Sequence, residues 1–180
     1  YTLAMMLLKT FIDFKLSVKL KEGLILPPHG WHIEINGTDI SRQVIRKAKE
    51  GIYESASNGL SSFRNFPQTY MEYFTLSKEY EDTLGQKKQI YRVNDVIKSF
   101  VSFDVFNLMS PMPPNNNYDL VLCRNLMIYL HDDALDKVER VIRSSLAPGG
   151  YLILSAVDKL NNQLGIDTHR EMGCVYYEKL

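Results

Sequence analysis

An α/β fold with a mostly parallel sheet is predicted by three features of the sequence. Leu120, Val121 and Leu122 form an unbroken apolar run between a Pro/Asn loop, Pro111 to Asn117, and the pair Arg124–Asn125. That is the pattern of a strand buried on both faces. A helical stretch and a second apolar run, Tyr151–Ala156, follow, so Tyr118 to Ala156 reads as a strand–helix–strand crossover. Finally, strand-like runs elsewhere end in polar residues, Asp39 and Asn107. In open α/β sheets ligands bind at the carboxyl ends of strands, where loops and helix N-termini open a crevice.

A chain of 180 residues holds one sizeable core and is short for two domains. Its formal net charge is zero, so no long-range field gathers nucleic acid or an anionic membrane, and any partner is recognised locally. Cys123 and Cys174 lie far apart and outside any CxxC spacing, and the histidines are scattered. This suits a reducing cytoplasm and argues against a disulfide scaffold or a metal site.

Taken in order, Tyr1 to Leu20 is apolar but interrupted by Lys9, Asp13, Lys15 and Lys19, so it reads as an internal helix and neither a membrane span nor a signal peptide. Ala4, Leu7, Leu8, Phe11, Ile12 and Phe14 form its stripe, and Gly23 is expected to end it. A domain that opens directly on a buried helix is expected to have further chain upstream. The alternating run from Trp31 leads into Asn36–Ile40, a strand with Asp39 at its carboxyl tip. Two carboxylate oxygens there suit the two hydroxyls of a ribose, and the competing use is a helix N-cap. Ser41 is well placed to cap the helical run Gln43–Glu50, which would leave Asp39 free; Gly51 stops that helix.

Ile52 to Phe74 is mixed and aromatic and reads as one or two short helices packed as a satellite core. Tyr73–Leu76 and Gln89–Val93 flank a charged connection and read as a hairpin. A brief helix at Asn94 to Phe100 precedes the strand Val101–Phe106 and then Asn107, which either closes a turn or reads the edge of an adenine. Arg124 and Asn125 likewise stand between ligand contact and an ordinary cap-and-turn use. Asp132 or Asp133 is expected to cap the helix carrying Leu135, Val138, Val141, Ile142, Ser145 and Leu146, which Pro148–Gly149–Gly150 ends. Val175–Lys179 reads as a last, antiparallel edge strand.

Several of these pieces fall together in order: YTLAM at the start, GTDIS at 37–41, KAKEGIY at 47–53, YF at 73–74, VSFDVFNL at 101–108, YDLVLCRNLMIYL at 118–130, LAPGGYLIL at 146–154 and VYY at 175–177. Over nearly the whole chain they resemble the S-adenosylmethionine-dependent CheR-type protein-glutamate O-methyltransferases of bacterial chemotaxis. The resemblance implies a Rossmann-like class I methyltransferase sheet, mostly parallel with an antiparallel C-terminal strand, and a small inserted β-subdomain at 73–93. It implies a catalytic domain over 1–180 lacking its first strand and glycine loop.

It further implies that Asp39 takes the ribose, Asn107 and Leu108 the adenine side, and Arg124 and Asn125 the surroundings of S-adenosylmethionine, whose product is S-adenosylhomocysteine. Tyr129 is placed near the transferred methyl, with Arg124 helping to position the acceptor. A competing use for Tyr129 is a buried core tyrosine. The implied partners are the cytoplasmic domains of chemoreceptors, with no nucleic acid and no membrane insertion. A same-fold methyltransferase with another substrate and a non-catalytic partner-binding module remain as alternatives. The segment AVDKL at 156–160 departs from the family's Ser-Glu pair, and no role is assigned there.

Overall fold

The computed structural model describes residues 1–16, 27–56, 62–113, 117–161 and 164–180, and the chain forms two compact units, Tyr1–Val105 and Phe106–Leu180.

In the first unit, helix α1 (Thr2–Asp13) buries Ala4, Met5, Leu8 and Phe11, one helical face, in a cluster with Tyr73, Val93 and Ile97. Phe14, expected on that stripe, is exposed because the helix ends before it; the expected stop at Gly23 lies outside the described residues. Strand β1 (Ile35–Asp39) begins after the alternating run at Trp31, whose ring packs edge-on against Phe11 with centroids 5.4 Å apart. It pairs in parallel with β5 (Val101–Val105), so that Asp39 and Val105 are partners at the carboxyl ends. Between them helix α2 (Arg42–Glu50) starts at Ser41, whose Oγ accepts the Val44 N–H at 3.3 Å, and stops at Gly51 in the left-handed conformation, both as expected.

The aromatic segment departs from its helical reading. Ile52–Ala56 is strand β2, and among the described residues of this segment only Gln68–Tyr73 is helical, as a 3-10 turn. Strands β3 (Phe74–Glu81) and β4 (Lys87–Val93) form the expected hairpin, and β2 adds to β4 to give an antiparallel sheet in the order β2-β4-β3. The reason is packing: Phe63 meets Tyr53, Phe74 and Tyr91 edge-to-face, with centroids between 5.1 Å and 6.3 Å, and that cluster needs a sheet face beneath it. A short helix α3 (Asp95–Lys98) then leads into β5.

The second unit is a four-stranded sheet in the order β6-β7-β9-β8. Strand β6 (Tyr118–Cys123) runs parallel to β7 (Leu146–Leu154), with helix α4 (Asp132–Ser145) as the crossover. Val138 and Ile142 of α4 pack with Cys123, Leu152 and Leu154 to form the core. Three readings are corrected here. Strand β6 is not buried on both faces: Leu120 and Leu122 are 37% and 45% exposed, while Val121 and Cys123 on the other face pack with the residues of α4. Neither Asp132 nor Asp133 is the N-cap; His131 holds that position, and both carboxylates sit in the first turn, where they complement the helix dipole. Pro148–Gly149–Gly150 lies within β7 as a bulge, since the chain passes from helix to strand at Leu146 without a loop.

The C-terminal strand is also not an edge. Strand β9 (Cys174–Lys179) lies between β7 and a further strand, β8 (Ile166–Glu171), antiparallel to both. The two are joined by Met172 and Gly173, both at positive φ, as a tight hairpin turn demands. Lys179 at its end donates from Nζ to the carbonyls of Arg143 at 3.0 Å and Leu146 at 2.6 Å, satisfying the last turn of α4 and opposing its dipole.

Candidate functional site

Asp39 belongs to the first unit; Asn107, Leu108, Arg124, Asn125 and Tyr129 belong to the second. Asp39 is the last residue of β1 and half-buried. Its Oδ1 accepts the N–H of Ser41 at 2.8 Å, which fixes the carboxylate, while Ser41 takes over the capping of α2. Among the described residues Oδ2 has no hydrogen-bond partner and remains an acceptor.

Asn107 makes the turn that competes with its binding use: its Oδ1 accepts the Met109 N–H at 2.9 Å. That bond uses only the oxygen, and the amide NH2 keeps both donors. Leu108 packs, partly buried, against the core of the second unit.

The segment after β6 is the most structured part of the candidate site. Cys123 and Leu154 are paired at the ends of the parallel strands β6 and β7, so the loops that follow them emerge side by side. Arg124 is exposed, and Asn125 takes the left-handed conformation with φ 56°, a region that Asn tolerates better than other side chains. Met127–Tyr129 form a 3-10 turn in which Met127 is buried while Tyr129 is 77% exposed. A tyrosine that open is not the buried core residue that its neighbourhood allowed.

Sequence reasoning missed what holds this loop. Asp158, only 4% exposed, accepts the Asn125 N–H at 2.6 Å and the Ser155 hydroxyl at 2.6 Å on Oδ2, and the Ile128 N–H at 3.3 Å on Oδ1. Burial opposes its ionisation, but these hydrogen bonds, led by that from Ser155, outweigh it and hold the carboxyl below its ordinary pKa. The only signal was AVDKL, a carboxylate just past a strand end.

Cys123 lies beneath the loop. Burial, and secondarily the charge of Asp158, pushes its thiol up to about 11, whereas Cys174 is exposed. A disulfide-exchange reagent at pH 8 is therefore expected to modify Cys174 quickly and Cys123 only after denaturation. Equal rates in the folded protein would contradict the buried placement of Cys123.

The profile of the family described as "CheR methyltransferase, SAM binding domain" matches residues 1–172. The chain belongs to this family. Curated relatives carry matching names. A "Chemotaxis protein methyltransferase" of Vibrio anguillarum is 32% identical over 130 residues, 71% of this chain and 42% of the relative. Another from Vibrio parahaemolyticus serotype O3:K6 is 31% identical over 160 residues, 89% of this chain and 50% of the relative. "Chemotaxis protein methyltransferase 1" of Vibrio cholerae serotype O1 is 33% identical over 147 residues, 81% of this chain and 47% of the relative. The chain thus spans about half the length of the curated relatives it matches.

The mixed α/β architecture, with parallel and antiparallel strand pairs, agrees with a CheR S-adenosylmethionine-binding fold. Taken each within its own unit, two side chains have groups of the kind that cofactor needs. A strand-end carboxylate with one oxygen left to accept suits a diol, and an Asn with both amide donors left suits an adenine edge. No helix among the described residues is long and apolar enough to cross a membrane.

Proposed function

We propose that this CheR-family chain is the cofactor-binding part of an S-adenosylmethionine-dependent methyltransferase that esterifies glutamate side chains on the cytoplasmic domains of chemotaxis receptors, in the class I, Rossmann-like manner. The observation that carries this reading is the loop Arg124–Tyr129. It is held from below by part-buried bonds to the buried Asp158, yet it leaves Arg124, Asn125 and Tyr129 open at the carboxyl end of a parallel strand pair.

In this reading Asp39 holds the ribose, Asn107 and Leu108 flank the adenine, and Arg124 and Asn125 hold the rest of the cofactor. When bound, S-adenosylmethionine supplies an electrophilic methyl group. The acceptor carboxylate of a glutamate is already ionised near pH 7, so the protein needs no general base. Its work is to align that carboxylate and strip it of water, the task assigned to Tyr129 and Arg124. Each product ester is neutral, so every transfer deletes one negative charge from the receptor and shifts a conformational balance set by electrostatics. The antiparallel sheet β2-β4-β3, with β2 and β3 at its edges, is the proposed dock for receptor chain, by addition of a further strand.

Tritiated S-adenosylmethionine incubated with receptor cytoplasmic fragments tests the assignment. Base-labile label on the receptor is expected from the wild type, strongly reduced in both Tyr129→Phe and Asp39→Ala. Label appearing only on small molecules would redirect the assignment to another substrate. No label and no binding of S-adenosylhomocysteine would leave a non-catalytic partner-binding module.

A further inference from the structure

We propose that Asp158 is a positioning residue for cofactor binding, acting through the backbone of the Arg124–Tyr129 loop; this rests on the reading of that loop as a cofactor contact. Two backbone N–H groups, those of Asn125 and Ile128, bond to its two carboxylate oxygens. Between them they bracket the turn from which Arg124, Asn125 and Tyr129 project. A backbone N–H cannot reverse its polarity, so both oxygens must be acceptors. Only an ionised carboxylate meets that demand in a space the size of Asp.

The two contacts define the loop's shape at its two critical points. At Asn125 the chain must enter the left-handed region, and the bond to Oδ2 holds the peptide that makes this entry. At Ile128 the bond to Oδ1 lies within the 3-10 turn that ends in Tyr129. Ser155 completes the arrangement: its hydroxyl donates to Oδ2 and keeps the carboxylate turned toward the loop. The support is built from the strand next door, since Asp158 follows β7 as Arg124 follows β6.

The isosteric Asp158→Asn isolates the point. Whichever way its amide turns, an NH2 group faces an N–H donor, so one of the two bonds is replaced by a donor–donor clash. Hydrogen exchange of the ligand-free protein is expected to show the amides of Asn125 and Ile128 exchanging about tenfold faster or more, the scale of one lost charge-assisted bond. Affinity for S-adenosylhomocysteine, by calorimetry, is expected to fall by about tenfold or more for the same reason. In turnover the KM for S-adenosylmethionine is expected to rise, and kcat to fall with it because the same loop carries Arg124 and Tyr129. Asp158→Glu, which keeps both acceptors, is expected to restore binding to within about threefold of wild type.

If Asp158→Asn does not fold, Ser155→Ala decides. It removes one donor and leaves both backbone bonds in place, and is expected to weaken binding by about two- to fivefold. A folded Asp158→Asn, or failing that a Ser155→Ala, that binds like wild type overturns the positioning role alone. A wild type that does not bind S-adenosylhomocysteine overturns the cofactor reading of the loop, and the positioning role with it.

Discussion

Gly150→Ala is expected to destabilise the second unit by about 3 kcal/mol, the upper range for forcing a methyl group into a packed site. A Cβ built at Gly150 lies 2.8 Å from the carbonyl oxygen of Tyr118 and 2.9 Å from that of Ala147. Both are backbone atoms and neither can rotate away. They sit where the β6–β7 register jumps, from Tyr118 opposite Leu146 to Leu120 opposite Tyr151. Relief therefore requires moving one parallel strand against the other, and the ends of those strands carry the Arg124 and Asp158 loops. At about 2–4 °C per kcal/mol for a chain of this size, the melting temperature is expected to fall by roughly 6–12 °C. A thermal melt unchanged by the substitution would show that the bulge is looser than described.

Asp39→Ala is expected to weaken S-adenosylhomocysteine binding by roughly 100-fold. That factor corresponds to two hydrogen bonds from ribose hydroxyls to an ionised carboxylate, at about 1.5 kcal/mol each. The same change removes the acceptor of the Ser41 N–H, which costs about 1 kcal/mol of stability, so melting and binding must be measured on the same preparation. Asp39→Asn separates the two effects. It retains an oxygen for Ser41 and loses the charge, and an intermediate affinity with near wild-type melting is expected. If Asp39→Ala binds as wild type does, Asp39 is only the residue that orients Ser41 at the head of α2.

How much of this was legible in the chain follows from the range over which each signal acts. Ser41 as cap and Gly51 as stop of α2 depend on neighbours within one turn, and the structure has both where local chemistry put them. The β3–β4 hairpin was readable because two β-prone runs close in sequence flank one polar connection, so that Phe74 pairs with Val93. Strand β2 was not, because Ile52–Ala56 is held in the sheet by β4 and by aromatic packing contributed by residues later in the chain.

The β8–β9 hairpin was missed because its turn uses Met172 at a positive φ where Asn or Asp would have announced it. An apolar run reports that a strand is hydrophobic and not which of its faces is covered, so the exposure of Leu120 and Leu122 could not be foreseen. Asp158 was the furthest from view. Its partner Asn125 lies 33 residues earlier, and the bond goes to a backbone N–H that every residue but proline possesses.

The central proposal is that Asn107 and Asn125 of the second unit serve a single adenosyl ligand. The most direct test is a titration of isotopically labelled protein with S-adenosylhomocysteine, following backbone amide shifts by NMR. Amides at Asn107 and Asn125 are expected to move together along one saturation curve. No shift at either residue, or shifts saturating at different ligand concentrations, would contradict the account.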